Sequence, residues 1–86
     1  MPRISEFYGI AIYMYYKDHA PPHFHAIYGE HEAKVDIESG EITEGSLPRR
    51  AQSLVKDWTS AHTEELREDW ALASAEQSLN QIPPLD

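Results

Sequence analysis

Residues 23–37 read HFHAIYGEHEAKVDI, and this stretch decides the fold. Gly29-Glu30 predicts a two-residue turn, because glycine readily supplies the positive φ that a type II′ hairpin needs. With the turn there, His23 lies opposite Asp36, and the partners across the two strands share a face. One face then carries Phe24, Ala26, Tyr28, Ala33, Val35 and Ile37, and the other carries His23, His25, Ile27, Glu32, Lys34, Asp36 and Glu38. A slip of one residue would mix this apolar face with this polar face, so the pattern predicts a hairpin with one buried side.

Two further strands flank this hairpin in the sequence. Tyr8–Tyr16 has apolar residues on both of its faces, which is typical of a central or covered strand. The loop Lys17–Pro22 ends that strand, because its two consecutive prolines lack the N–H that a paired strand donates. Ser39-Gly40 predicts a second tight turn, and a short strand is expected at Glu41–Glu44.

The second half of the chain is predicted to be helical from about Pro48 to Glu76. Apolar residues recur there at helical spacing, and acidic residues occupy the opposite side. One long helix fits this pattern. Thr63 followed by Glu64-Glu65 is also typical of a helix start, which leaves open a break into two helices near His62.

Together these elements predict the α+β class. The expected architecture is an antiparallel meander of about four strands packed on one long or two consecutive C-terminal helices, in two layers. A chain of 86 residues has the length of one domain, so residues 1–78 are expected to form a single domain. Residues 79–86 include Pro83 and Pro84 and are expected to be a flexible tail.

Composition excludes several classes of function. The chain has no cysteine, which excludes a disulfide framework, a thiolate nucleophile and any cysteine-ligated metal site. Seven basic residues stand against fifteen acidic ones, for a net charge of −8, so autonomous nucleic-acid binding is not expected. Neither a transmembrane stretch nor a signal peptide is found, and the expected location is therefore the cytoplasm, without a membrane partner.

The histidines near the proline loop are the one group that predicts chemistry. His23 and His25 are two residues apart on a strand, so their side chains point to the same face and can converge on one ion. Asp36, opposite His23, and His19, on the loop, would complete a set of metal ligands for a divalent ion such as zinc or iron. The alternative is a metal-free pair in which Asp36 hydrogen-bonds His23, for structure, for catalysis, for binding, or as a proton switch that gates association.

The chain resembles a small bacterial family known as domain of unknown function 4160. The resemblance lies in Ile4–Gly9, Asp18–Ala26, Ile37–Ile42, Leu47–Ala51, and in Trp58, His62, Leu66 and Trp70 of the helical half. The run Pro21-Pro22-His23-Phe24-His25 is its most specific part. Genes of this family often stand beside a gene for another small domain of unknown function, which implies two-gene modules of the toxin–antitoxin or regulatory kind. The resemblance implies no catalytic residue.

Two functions follow as hypotheses. The first is a small bacterial interaction or regulatory domain that binds a partner protein or a second copy of itself. Such a domain should leave apolar side chains such as Tyr13, Tyr15 and Ile27 exposed. The second is a metal-dependent hydrolase or nuclease that uses His19, His23, His25 and Asp36 on the open face of the sheet.

Overall fold

The computed structural model describes residues 2–86, which form an antiparallel sheet of five strands followed by two helices. The elements are β1 (Arg3–Phe7), β2 (Ile10–Tyr13), β3 (His23–Tyr28), β4 (His31–Asp36), β5 (Ile42–Gly45), α1 (Arg49–Ala61) and α2 (Thr63–Ser74). The strands are ordered β1-β2-β3-β4-β5 in the sheet, so each strand pairs with its neighbour in sequence. The predicted α+β class and the meander are confirmed, with five strands where about four were expected.

The register of the hairpin formed by β3 and β4 is the predicted one. His23 pairs with Asp36, Phe24 with Val35, and Tyr28 with His31 across the turn. The apolar face of this hairpin is buried in the core, apart from Tyr28 at its end. The open face is polar as predicted, but its first residue, His23, is also buried.

The first predicted strand, Tyr8–Tyr16, is longer than the strand observed there, β2 (Ile10–Tyr13), and β1 before it was not predicted. Tyr8 and Gly9 instead form a two-residue turn between β1 and β2, in which Phe7 pairs with Ile10. Both turn residues have positive φ, at 49° and 79°. Asparagine, aspartate and glycine are the residues that favour the first position of such a turn. Tyrosine is atypical at that position, and the alternation of apolar residues continues through the turn. The sequence pattern therefore predicts one continuous strand.

The two helices meet at His62, so the break into two helices is present. The backbone N–H of His62 closes α1 on the carbonyls of Trp58 and Thr59. Trp58 is fully buried, and its ring packs edge-on against Phe24 and tilted against Phe7. This helix therefore covers the apolar face of the sheet. Neither helix in residues 2–86 is long and apolar enough to cross a membrane.

Residues 79–86 form neither helix nor strand, but they lie against the core. The N–H of Ile82 donates to the carbonyl of Ile4 (2.8 Å), and Nε1 of Trp58 donates to the carbonyl of Pro83 (2.9 Å). The side chain of Ile82 is buried with the core residues of the sheet and α1. The expectation that this tail is flexible concerns its motion and stays a prediction, and these contacts give a direct way to test it.

Candidate metal centre

His23, the first residue of β3, is held by contacts on both of its ring nitrogens. Nδ1 lies 2.8 Å from the carbonyl oxygen of Pro21, and Nε2 lies 2.8 Å from Oδ2 of Asp18. The ring also packs against Trp70 of α2, and only 2% of the side chain is exposed. A carbonyl can only accept, so Nδ1 carries a proton and donates it to Pro21. This contact aims Nε2 at Asp18.

Asp18 and His25 complete a cluster with His23. Oδ2 of Asp18 lies 3.5 Å from Nε2 of His25, in addition to its 2.8 Å contact with Nε2 of His23. One potential ligand atom from each of the three residues lies within 4.8 Å of the others. The side chains of Asp18 and His25 are 23% and 17% exposed, so the cluster is open to solvent on the side opposite the buried His23.

Asp18 is ionised in this setting. Its burial alone would raise the pKa of the carboxyl group, but hydrogen bonds from the N–H of His19 and from His23 and His25 outweigh burial and hold the pKa below its ordinary value. Tyr15 packs edge-on against His25 with 4.4 Å between ring centroids. Burial, followed by the negative charges of Glu32 and Asp18, raises the pKa of Tyr15. The carboxylates of Asp18 and Glu32 therefore place two negative charges at the cluster.

The contact between His23 and Asp18 requires a positive charge. With the proton of neutral His23 on Nδ1, Nε2 presents a lone pair to a carboxylate oxygen 2.8 Å away. Two lone pairs at that distance repel each other unless a cation lies with them. A proton on Nε2 would satisfy the contact, and so would a metal ion. Ligand atoms about 2.0–2.1 Å from a tetrahedral zinc ion lie roughly 3.3 Å apart, which is between the two distances from Asp18 Oδ2.

A further carboxylate reaches the outer side of His25. Oε2 of Glu32 lies 3.5 Å from Nδ1 of His25. Metal-ligating histidines commonly direct their second nitrogen to a carboxylate or a carbonyl, which orients the ring. Glu32 stands in that position for His25, and the carbonyl of Pro21 does so for His23. Each histidine thus has one nitrogen facing the cluster and the other facing an acceptor.

The structure brings together two of the four residues predicted from the sequence. His23 and His25 converge as expected. His19 is exposed, and only its backbone N–H reaches the cluster, where it donates to Oδ1 of Asp18 (2.8 Å). Asp36 pairs with His23 in the strand register, but its Oδ1 accepts the N–H groups of Glu38 (2.8 Å) and Ser39 (3.0 Å).

Asp18 is the residue that sequence reasoning missed. It lies in the loop that precedes β3, five positions before His23, and the loop turns its carboxylate back onto the strand. The loop is anchored where the carbonyl of Pro22 accepts the N–H of Ile37. The only signal in the sequence was that an acidic residue stands within the same proline-containing loop as the histidines.

A shallow pocket of about 220 Å³ lies beside His25. It is lined by His25, Glu32, Lys34, Glu44 and Gly45. Lys34 is the one basic side chain in this lining, and it is ion-paired with Glu44 (3.1 Å). The pocket adjoins the cluster on its exposed side, where a small polar molecule would approach His25.

A family model described as a domain of unknown function, DUF4160, matches residues 9–71 of the 86-residue chain. The matched range includes Asp18, His23 and His25, and it excludes β1 and the tail. No curated protein and no solved structure matches the chain.

Proposed function

The chain belongs to the DUF4160 family, a domain of unknown function, and we propose from the geometry that Asp18, His23 and His25 bind a divalent metal ion. The observation that carries this proposal is the 2.8 Å contact between Nε2 of His23 and the ionised carboxylate of Asp18. Nδ1 of His23 donates to a carbonyl, so Nε2 faces Asp18 across either a second proton or a metal ion, and the proposal is the metal ion.

Two histidines and one carboxylate are a ligand set of zinc hydrolases and of mononuclear iron(II) enzymes. Zinc is the first expectation, and iron is the alternative. When bound, zinc would lower the pKa of a coordinated water molecule enough for that water to act as a nucleophile near neutral pH. The exposed edge of the cluster and the charged side chains that line the adjoining pocket favour a small polar substrate, such as a hydrolase would take. A nuclease is less favoured, because the one lysine of that pocket is already neutralised by Glu44.

Metal binding is tested on the untagged protein by elemental analysis and by calorimetric titration with zinc. We expect one zinc per chain, and a loss of affinity of about 100-fold or more in Asp18→Asn, because even residues that only orient a ligand contribute 10- to 100-fold. His23→Ala is the companion variant, and Asp18→Asn keeps the test valid if that variant fails to fold.

Matched controls come from the residues that the cluster leaves out. His19→Ala and Asp36→Asn should bind zinc as the parent does, because neither side chain reaches the cluster. Sub-stoichiometric zinc together with sub-stoichiometric iron in the parent would contradict the proposal. Equal affinity in the parent and Asp18→Asn would also contradict it, and loss in Asp36→Asn instead would favour the ligand set predicted from the sequence.

The second function we propose is that of an interaction domain in a bacterial, cytoplasmic two-gene module of the toxin–antitoxin kind. For such a domain the sequence predicts that Tyr13, Tyr15 and Ile27 are exposed, but these side chains are half-buried. The exposed large side chains are instead Tyr8, Tyr16 and Tyr28. Co-expression with the product of the neighbouring gene, followed by light scattering, tests this function. A monomer that never forms a complex with that product would contradict it.

A further inference from the structure

A pocket lies at the end of the sheet where the β1–β2 and β3–β4 turns stand beside the start of α1. Its volume is about 240 Å³, and its apolar lining consists of Tyr8, Ile10, Tyr28, Pro48, Ala51 and Leu54. Small-molecule sites usually measure about 300–1,000 Å³. This volume therefore suits one large side chain better than a whole ligand.

Tyr8 has an unfavourable backbone conformation at this pocket. Its φ of 49° is in the left-handed region, which bulky residues rarely adopt and which asparagine or glycine would adopt more easily at this turn. The side chain is also 55% exposed, so burial does not explain it. An unfavourable conformation in an exposed residue is a reason to look for a role in binding. The role that the geometry offers is a wall of the pocket.

Tyr28 also lines the pocket, and its ring lies over Gly9. A Cβ added at Gly9 would meet Cε1 of Tyr28 at 3.4 Å, which is ordinary van der Waals contact, so the tyrosine ring lies directly on the β1–β2 turn. Tyr28 is 38% exposed although it belongs to the apolar face of its hairpin. Both tyrosines therefore expose ring surface that a binding partner can contact.

The charge at this pocket differs from that of the rest of the protein. Five of the seven basic side chains pair with carboxylates within residues 2–86, namely Arg3, Lys17, Lys34, Lys56 and Arg67. Arg49 and Arg50 make no ion pair in that range, and the first turn of α1 holds no acidic residue. Arg50 lines the pocket, and Arg49 lines a polar hollow along the other side of α1. A protein of net charge −8 thus has one of its two unpaired arginines, Arg50, in the lining of its apolar pocket.

We propose that this pocket docks an acidic segment of a partner protein, with one apolar side chain against Tyr8 and Tyr28 and a carboxylate on Arg50. The inference rests on the interaction function proposed above and adds the chemistry of the partner. A nucleic acid is not the occupant, because two arginines on a strongly acidic protein supply too little phosphate affinity. A second copy of the chain is the alternative occupant, and the test below detects it.

The probe is an acetylated and amidated heptapeptide, Glu-Asp-Glu-Phe-Glu-Asp-Glu, titrated into ¹⁵N-labelled protein. We expect saturable shifts of the amides of Tyr8, Tyr28 and Ala51, and much smaller shifts with the peptide that has alanine for phenylalanine. Arg50→Glu should weaken binding about fivefold or more, because it turns an attraction into a repulsion. Lys17→Glu changes the net charge equally at a distant surface and should bind as the parent does. No saturable shift at the pocket, or equal weakening by the two variants, overturns the proposal.

Tyr8→Asn separates a role in binding from a role in folding. Asparagine followed by Gly9 is the favoured sequence for this turn, so the variant should melt at a higher temperature than the parent while binding the peptide more weakly. Unchanged peptide affinity in this variant would overturn the proposal. A parent dimer that Arg50→Glu dissociates would overturn it in favour of a second copy. If Tyr8→Asn and Arg50→Glu still form the complex with the neighbouring gene product, the interaction function stands and this docking surface falls.

Discussion

Replacing Ile82 by alanine should destabilise the fold strongly, although Ile82 lies in a segment without helix or strand. Its side chain is 3% exposed and packs with the core. Truncation of a buried isoleucine to alanine costs about 2–5 kcal/mol, and about 3 kcal/mol is a reasonable value for a site near a chain end. A domain of this size has a free energy of unfolding of only about 4–13 kcal/mol. One kcal/mol shifts the melting temperature by about 4–8 °C, so the expected fall is about 12–24 °C.

The assay is thermal unfolding of the parent, Ile82→Ala and Ser78→Ala, checked by urea titration at one temperature. Ser78 is exposed and makes no hydrogen bond from its side chain within residues 2–86, so its variant should melt within about 3 °C of the parent. A fall of under about 3 °C in Ile82→Ala would refute the reasoning. It would mean that Ile82 leaves the core much of the time, and it would support the prediction of a flexible tail.

Two further predictions concern a buried carboxylate and two glycines. Burial raises the pKa of Asp69 despite its hydrogen bond from the N–H of Asn80, so the stability it contributes is present at low pH and is lost as pH rises through that pKa. Asp69→Asn keeps an oxygen that accepts the N–H of Asn80. Urea titrations should show that the free energy of unfolding of this variant, relative to the parent, increases from about pH 3 to pH 7. A difference that does not depend on pH would contradict this. Gly45→Ala should cost at least about 2 kcal/mol more than Gly29→Ala in the same assay. A Cβ at Gly45 would overlap the carbonyl oxygen of Glu32, whereas a Cβ at Gly29 would have nothing within 4 Å. Both glycines have positive φ, so equal costs would contradict the steric argument.

The hairpin of β3 and β4 was predictable from the sequence because two independent signals agree on it. Gly29 marks the turn, and the alternation of apolar and polar residues excludes a register shifted by one position. The break at His62 was predictable as an option, since Thr63 and the acids that follow it are typical of a helix start. The turn at Tyr8 was hidden, because its tyrosine has the wrong preference for a turn and the apolar alternation runs through it.

The candidate site was half predictable for a related reason. Strand alternation alone places His23 and His25 on one side of the sheet. Pairing in the register also placed Asp36 opposite His23, but a register fixes backbones and not side chains. Aspartate side chains readily accept N–H groups of the next few residues, and Asp36 does so in the turn after β4. Asp18 belongs to an irregular loop, whose path has no period that a sequence reveals.

The two proposed sites occupy opposite ends of the same strand, and this separates their functions. His23 begins β3 and Tyr28 ends it, so about 17 Å lies between them at the usual rise per residue. The cluster is backed by Trp70 of α2, while the docking pocket is walled by the first turns of α1. Substitutions at such a distance, with no shared contacts, usually act independently. A variant that binds neither zinc nor the acidic peptide would therefore have lost the sheet that positions both sites. Only a loss of binding confined to one end of β3 is evidence for the function of that end.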